Sequence, residues 1–423
     1  MNTNDIFDQA IIGQESVKES LRKISDMVKD REAYESCGAR VPTAVLLTGA
    51  PKTGKRTLCR CLADDIGFST VTFRNSADLD KFKETLEQCF KELSENIPAI
   101  LTFENIHTYD EEAFKCLQEG LDACCGKDVL VLATAISPQN IPVSVMARFD
   151  RNLTLHRPVG DIWTAIVDKY IREEVSMHLA EELFIKDIAM ILEGHDYADL
   201  EEVMSKAAAN AVYEHALAIR KEDVIKAVLE VSYRYEEGDM TKPKAQMEST
   251  AIHEACHAVV CEVLFPGNVS FISVPRSKSY FYGVSDSLQL PHDAPQDIVS
   301  EAMISLAGMA GEEVFLGKLN GVGSRVDLQQ AMGYIDYLIT ECYGAGFSGL
   351  VDKEKEASEQ KKAEIEKMIE QKLEKCYSEV KDILKRSRAF VEALSKELMQ
   401  KGTLLNSDVM RIKALVSEQA KES

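Results

Sequence analysis

At 423 residues the chain is too long for one ordinary hydrophobic core, so two or three domains are expected. Its formal net charge of −21 argues against a nucleic-acid or anionic-membrane partner, because either would be repelled. Residues 1–10 lack a signal-peptide core, no apolar run is long enough to span a membrane, and the eleven cysteines include no CxxC pair. We therefore expect a cytoplasmic protein with free thiols and no transmembrane segment.

Short apolar runs alternate with helical patterns in the first part of the chain, after a helical lead-in over residues 1–40. The apolar runs are 45–47, 99–103 and 129–132. The helical patterns between them are 54–66, 78–95 and 111–123. Strands that alternate with helices in this way predict a parallel α/β sheet. Residues 160–235 then become wholly helical, and the polar segment 236–243 is typical of a linker.

A loop with the pattern G-x-x-x-x-G-K follows the first apolar run and opens the next helix. In this context backbone N–H groups surround phosphates, and Lys55 would reach the β and γ phosphates of a nucleotide. The next position holds Arg56 instead of the Ser or Thr hydroxyl that binds magnesium, and Thr57 comes one residue late. The alternative is a glycine turn that only caps a helix.

The apolar run at 99–103 is followed by Glu104 and Asn105. Glu104 supplies a carboxylate where Asp usually holds magnesium, whereas Asn105 stands where a catalytic carboxylate would polarise water. Because an amide cannot accept a proton, the usual hydrolytic base is missing. The sequence thus predicts ATP binding and puts magnesium binding in doubt. The residues predicted to bind nucleotide are Gly49, Ala50, Pro51, Lys52, Thr53, Gly54, Lys55, Arg56, Thr57 and Glu104.

Residues 253–257 form an HExxH motif within a stretch of helix-compatible residues, for which Ser249 and Thr250 offer an N-cap. On a helix, His253 and His257 lie on one face, roughly 6 Å apart along the axis, and can share one ion. Glu254 can take a proton from a metal-bound water and return it to the leaving amine. The motif predicts a zinc metallopeptidase, and the alternative is a helix with two structural histidines.

Zinc needs a third protein ligand, which the motif does not supply. His292 lies in a loop bounded by prolines, Glu312 and Glu313 lie on an apolar helix at 302–316, and Asp327 begins another helix. The residue types alone leave these alternatives open.

These elements, in this order, resemble the FtsH family of membrane-anchored AAA proteases over most of the chain. The tightest similarity lies at 248–258, around the HExxH motif, and a second block, A-G-M-A-G-E-E-V-F-L-G, lies at 307–317. The segment S-R-V-D-L at 324–328 is similar to the family's S-N-D-[IL] segment. The other similar segments are G-Q-E at 13–15, the phosphate loop, the Glu104 strand, A-R-F-D-R at 147–151, Y-A-D-L at 197–200 and T-L-L at 403–405.

The resemblance implies Zn2+ and ATP as cofactors, polypeptides as substrates and a sixfold ring of identical chains. It makes Asp327 the third zinc ligand, beside His253 and His257, because the family's aspartate ligand lies in the similar segment. By the same resemblance, Glu312 becomes a candidate for a carboxylate behind the ligands, or simply a helix carboxylate.

Several features depart from the family's pattern. The sequence lacks the family's membrane segments, and the segment 73–98 is too short for the aromatic pore loop that pulls substrate. The asparagine that senses the γ-phosphate falls near Ile136. Of the paired arginines that reach a neighbouring subunit's nucleotide, Arg148 remains and the other position holds Val145, for which Arg151 partly substitutes. The ATPase half is therefore altered at its hydrolytic positions, whereas the peptidase half is similar throughout.

We therefore predict a parallel α/β P-loop AAA core with a helical lid, followed by a mostly α-helical zinc metallopeptidase domain. The predicted domains are a nucleotide-binding domain at 1–158, a lid at 159–236, a linker at 237–247 and a peptidase domain at 248–423. The predicted function is an FtsH-type zinc endopeptidase for unfolded or flexible polypeptides, whose AAA module binds ATP and hydrolyses it poorly or not at all. The alternatives are a fully ATP-dependent protease, which the missing pore loop disfavours, and a non-cutting scaffold of FtsH-like rings, which the intact motif disfavours.

Overall fold

The computed structural model describes residues 5–73, 79–124, 128–180, 184–232, 243–274, 284–287, 294–318, 324–342 and 359–422. The chain forms two compact units, one of Met1–Tyr170 with Gly194–Glu201, the other of Ile171–Glu193 with Glu202–Ser423. Two features of the sequence analysis, His292 and the predicted linker as far as residue 242, lie outside the described residues.

The first unit contains a five-stranded parallel sheet, which confirms the predicted α/β fold. Its strands, in chain order, are β1 (Ala44–Gly49), β2 (Ser69–Phe73), β3 (Ala99–Phe103), β4 (Val129–Ala135) and β5 (Arg151–Leu155). Its helices up to β5 are α1 (Ile6–Ala10), α2 (Glu15–Lys29), α3 (Arg31–Ser36), α4 (Lys55–Ile66), α5 (Leu79–Glu95), α6 (Glu111–Cys124) and α7 (Val143–Met146). The strands lie side by side in the order β2-β3-β4-β1-β5, so the loops that follow β1 and β3 open at the same edge of the sheet.

Alternating side chains of β1 fill two separate hydrophobic cores, one on each face of the sheet. Leu46 belongs to the core that also buries α5 and α6, whereas Val45 and Leu47 belong to the core that buries α2 and α4. A strand covered on both faces is apolar throughout, which is why β1, β3 and β4 were visible in the sequence. β2 and β5 were not predicted, because their residues before Phe73 and Leu155 are exposed or only partly buried.

Helices α8 (Gly160–Glu174), α9 (Ile185–Ile191), α10 (Tyr197–Tyr213) and α11 (Lys221–Ser232) follow, in agreement with the prediction of a helical region at 160–235. Within the second unit, α9 is tied to the C-terminal segment, because Asp187 accepts hydrogen bonds from the backbone N–H and the hydroxyl of Ser407. Lys221, at the start of α11, forms an ion pair with Asp408 in the same segment.

The second unit is mostly helical and also contains a small antiparallel sheet. Its further helices are α12 (Lys244–Leu264), α13 (Pro295–Gly311), α14 (Arg325–Thr340), α15 (Glu359–Arg386), α16 (Arg388–Lys401) and α17 (Asn406–Glu422). Its strands are β6 (Val269–Ser273), β7 (Val284–Ser287) and β8 (Thr403–Leu405), in the order β7-β6-β8. Helix α12 packs against α13 and α16 in the centre of one hydrophobic core, so nearly all its side chains after Ala251 are buried.

The predicted N-cap at Ser249 and Thr250 is wrong. Helix α12 begins at Lys244, with Pro243 in the N-cap position, and the Thr250 hydroxyl donates to the carbonyl of Gln246 inside the helix. Residues 244–248 are mostly good helix formers, so the helix extends toward its N-terminus until the proline. It therefore includes residues 244–247, which the sequence analysis assigned to the linker.

Among the helices that the structure describes, none is both long enough and apolar enough to cross a membrane.

Candidate metal centre and phosphate loop

Helix α12 presents the two histidines of the HExxH motif side by side. His253 and His257 are both buried, their ring centroids lie 4.8 Å apart, and their Nε2 atoms are 3.1 Å apart. The helix can be buried at this point because Ala251, Ala255 and Ala258 are small and let neighbouring elements approach closely. The four-residue spacing thus places both imidazoles at one point in the core of the second unit.

Asp327, in the first turn of α14, completes a group of three metal-binding side chains. Its Oδ2 atom lies 3.0 Å from Nε2 of His253 and 3.6 Å from Nε2 of His257. Tetrahedral zinc with bonds of about 2.0–2.1 Å separates its ligand atoms by roughly 3.3 Å. The three separations therefore fit a zinc ion, with a fourth position left for water or substrate.

Each imidazole is oriented by a hydrogen bond at Nδ1. His257 Nδ1 lies 2.7 Å from the carbonyl oxygen of Ile304, and His253 Nδ1 lies 3.0 Å from Oε1 of Glu312. A carbonyl oxygen can only accept, so Nδ1 of His257 donates and its Nε2 lone pair faces the cluster. The structure places Glu312, buried at the end of α13, behind His253 rather than among the three clustered side chains.

Electrostatics in the cluster favour a positive charge. Burial opposes a charged imidazole, but hydrogen bonds to Asp327 and Glu312 outweigh burial and raise the pKa of His253 to about 10. Burial also opposes a charged carboxylate, yet hydrogen bonds and charge from the two histidines hold the pKa of Asp327 well below its usual range. A metal cation bound by neutral imidazoles supplies the positive charge that these carboxylates favour.

Glu254 is buried next to His253 on α12. Its negative charge contributes to the raised pKa of His253. A buried carboxylate in this position can exchange a proton with a water molecule held at the cluster.

Two glycines of α13 are part of the site, and sequence reasoning missed their role. A Cβ atom added at Gly308 would lie 2.4 Å from Nε2 of both His253 and His257. A Cβ atom added at Gly311 would lie 2.2 Å from Sγ of Cys256. Only glycine lets α13 approach α12 this closely. The signal was present as two glycines three residues apart, one turn of a helix, in the 307–317 segment.

The phosphate loop joins β1 to α4, as predicted. Gly49 has φ +144°, and a Cβ atom there would lie 2.4 Å from the carbonyl oxygen of Leu155, so the turn requires glycine. The buried Lys55 ammonium donates to the carbonyl oxygens of Gly49, at 2.7 Å, and Ala50, at 2.6 Å. The Thr53 hydroxyl also donates to Ala50, at 2.9 Å. The lysine is therefore held inside the loop that would surround phosphates.

Arg56 and Glu104 form an ion pair beside this loop. Nη2 of Arg56 lies 2.8 Å from Oε2 of Glu104. Asn105 follows in the left-handed conformation, with φ +55°, and its backbone N–H donates to the hydroxyl of Thr134 on β4. The carboxylate that the sequence analysis assigned to magnesium is thus bonded to a guanidinium.

Comparison with known proteins gives two family models, in the order in which the elements occur. The model "ATPase family associated with various cellular activities (AAA)" matches residues 45–157, and the model "Peptidase family M41" matches residues 240–412. The ATP-dependent zinc metalloprotease FtsH 2 of Symbiobacterium thermophilum is 27% identical, covering 95% of this chain and 73% of its own length. The FtsH proteins of Borreliella burgdorferi and Bacillus subtilis are 26% and 24% identical, covering 97% and 96% of this chain and 70% and 69% of their own lengths.

Over most of its length the chain is similar to the FtsH family of AAA-type zinc metalloproteases.

The M41 match and the similarity to the FtsH relatives make the chain a metalloendopeptidase with zinc and ATP as cofactors. His253, His257 and Asp327 form a group that could hold a metal ion, and the 49–57 loop joins β1 to α4. The expectations for fold class, enzyme class and cofactors are therefore confirmed.

The two arginines expected to reach a neighbouring FtsH-type subunit are engaged within their own chain. Nε and Nη2 of Arg148 donate to the two carboxylate oxygens of Asp122, at 2.7 and 2.8 Å. Arg151, at the start of β5, donates to the carbonyl oxygen of Asp150 at 3.0 Å.

Ile136 is exposed just after β4, and its backbone N–H donates to Nδ1 of His107 at 3.3 Å. Its aliphatic side chain has no group that can hydrogen-bond a γ-phosphate.

Proposed function

We propose that His253, His257 and Asp327 hold the zinc ion of this metalloendopeptidase and that Glu254 is its general base. The observation that supports the ligand set is the convergence of two Nε2 atoms and one carboxylate oxygen, separated by 3.0, 3.1 and 3.6 Å. The substrates in this proposal are unfolded or flexible polypeptides, and the cutting domain is residues 248–423.

The residues of the chain divide the reaction between them. When bound, zinc supplies Lewis acidity that lowers the pKa of a water molecule and polarises a peptide carbonyl. Glu254 takes the proton of the attacking water and returns it to the leaving amine. Glu312 and the carbonyl of Ile304 keep the two imidazoles turned with Nε2 toward the cluster.

The experiment that tests this proposal is the Glu254→Gln variant. It removes the base and spares the three clustered side chains, so the protein should keep about one zinc per chain and lose casein digestion by at least about a hundredfold. The matched control is Glu313→Gln. Glu313 is partly exposed, bonds Tyr377 and Lys381 of α15 rather than the histidines, and its variant should digest casein at the wild-type rate. A Glu254→Gln protein that digests casein as fast as wild type would refute the role of Glu254.

We also propose that the AAA module, residues 1–158, binds ATP and hydrolyses it slowly or not at all. Lys55 and the loop glycines support binding. Slow hydrolysis is supported by Asn105, whose amide cannot accept a proton, and by Ile136, whose side chain cannot bond a γ-phosphate. Separately, β2 ends at Phe73 and α5 begins at Leu79, and a connection of this length is too short for an aromatic pore loop, which disfavours a fully ATP-dependent protease.

We further propose a hexameric ring in the cytoplasm. The ring is supported by the family, whose AAA modules pack against neighbouring copies. The chain's net charge of −21 would repel nucleic acid, which supports the proposal that nucleic acid is not a partner. The location is supported by the cysteines: the ten that the structure describes are all free thiols, as expected in a reducing compartment.

A further inference from the structure

The place in a phosphate loop that normally holds magnesium contains a positively charged side chain in this protein. In loops of this kind, the hydroxyl directly after the lysine is a magnesium ligand, and an acidic residue after a neighbouring strand completes the site. Here these two positions hold Arg56, in the first turn of α4, and Glu104, directly after β3. The ion pair between them joins the two positions that would otherwise share the metal.

The residues present do not fit magnesium. The ion requires oxygen ligands in near-octahedral geometry at about 2.0–2.1 Å, and Arg56 offers only donors. The Glu104 carboxylate lies 2.8 Å from the guanidinium, so a dication at this carboxylate would be repelled by a permanent positive charge nearby. Thr57 offers the nearest hydroxyl on α4, but it lies about 100° further around the helix axis.

The same residues fit a nucleotide without a metal. Lys55 is buried within the loop, where its ammonium already bonds two carbonyl oxygens, whereas the Arg56 side chain is 63% exposed and pairs with Glu104 at the edge of the loop. The planar guanidinium of an arginine can donate two parallel hydrogen bonds to phosphate oxygens, and it stays charged at every physiological pH. Arg56 can therefore turn from Glu104 to the β or γ phosphate and neutralise the charge that magnesium neutralises elsewhere.

We propose that this chain binds ATP without magnesium, with the Arg56 guanidinium in the place of the metal. The inference rests on the proposed binding of ATP by the 49–57 loop. It goes beyond slow hydrolysis, because it states which form of the nucleotide the site accepts. ATP is bound without magnesium as a required partner.

The test is a calorimetric titration of the full chain with ATP, in metal-free buffer and in the same buffer with millimolar MgCl2. Metal ions are removed from the buffer with a resin before the protein is added, because a soluble chelator would also remove zinc. The wild-type dissociation constant should be the same within about twofold, or tighter without magnesium. In Arg56→Thr, which restores the hydroxyl and frees Glu104, binding should become at least about tenfold tighter with magnesium than without it.

The matched control is Arg60→Thr, one turn further along α4 and also exposed to solvent. This variant also removes one positive charge, but at a position away from Glu104. Its ATP binding should respond to magnesium as that of the wild type does. Wild-type binding that is about tenfold tighter with magnesium, or absent without it, would overturn the inference. An Arg56→Thr protein that remains indifferent to magnesium would also overturn it.

The outcome is separable from that of the proposed function. Magnesium-independent binding followed by rapid phosphate release would refute slow hydrolysis and leave the inference standing. Absence of ATP binding in both buffers would refute the proposed nucleotide site and the inference together, while the casein assay on Glu254→Gln would still report on the peptidase.

Discussion

At the scale of single residues, the candidate metal centre contains three side chains that face each other. Two further groups lie behind the imidazoles and form hydrogen bonds with their Nδ1 atoms. Glu312 lies behind His253, and the carbonyl of Ile304 lies behind His257. In the proposed site, removing one of the three facing side chains would delete a bond to the metal, whereas removing a group behind a ring would only loosen that ring. Variants of the two kinds should therefore differ in how tightly they retain zinc.

This difference gives a prediction for two carboxylates. Asp327→Asn removes the charged oxygen that lies 3.0 Å from Nε2 of His253 and should weaken zinc binding by more than about a hundredfold. Glu312→Gln keeps an acceptor oxygen for Nδ1 and should weaken zinc binding by only about tenfold. Zinc retention is measured by competition with a chelating dye. Stronger zinc loss in Glu312→Gln than in Asp327→Asn would show that the carboxylates have been assigned the wrong way round.

At the scale of elements, the site depends on the close packing of α12 and α13. Gly308→Ala would insert a methyl group 2.4 Å from both Nε2 atoms, so the helices must separate or the rings must turn away from Asp327. We expect a loss of stability of about 1–3 kcal/mol from overpacking, together with loss of zinc and peptidase activity. Thermal unfolding and zinc content measure the two effects.

The control is Gly333→Ala on α14, where an added Cβ atom meets nothing within 4 Å. Alanine is favoured over glycine inside a helix by about 1 kcal/mol, so this variant should be as stable as wild type or slightly more stable. Normal zinc content in Gly308→Ala would contradict the packing argument.

Secondary-structure elements could be predicted well from the sequence where their residues are uniformly buried. They were predicted poorly where pairing with a distant segment determines whether a strand forms. β3 was predicted from a run of four apolar residues and Thr102, and its bounds are confirmed. The three-stranded sheet of the second unit was not predicted, since β6 pairs with β8, which lies far along the chain at Thr403–Leu405. Pairing at this distance leaves no trace in a local pattern.

The candidate site shows the same limit. The HExxH spacing alone places His253 and His257 together, because the helix fixes it. No local rule could select Asp327 from the other carboxylates, since its position depends on how α14 packs against α13 and α15, and only the family resemblance pointed to it. The ion pair of Arg56 with Glu104 was missed for a similar reason, because it joins two loops that meet only when β1 and β3 enter one sheet.

At the scale of the whole molecule, the proposed ring does not depend on Arg148 alone. Arg148 is bonded to Asp122 within its own chain, so contacts between peptidase domains are expected to contribute to assembly. We predict a hexamer of 47.1 kDa chains, about 280 kDa by light scattering at micromolar concentration, with or without nucleotide. Arg148→Ala should keep this mass. A monomeric mass for the wild-type chain under both conditions would count against the ring.

Taken together, the proposed site and the altered AAA module make a zinc endopeptidase whose cutting is proposed not to depend on ATP turnover. The most direct test is the initial rate of casein digestion by the zinc-loaded chain, measured without nucleotide and again with ATP and magnesium. Because Asn105 and Ile136 cannot perform the usual steps of hydrolysis, the two rates should agree within about twofold. Digestion that occurs only when ATP and magnesium are present would contradict the claim.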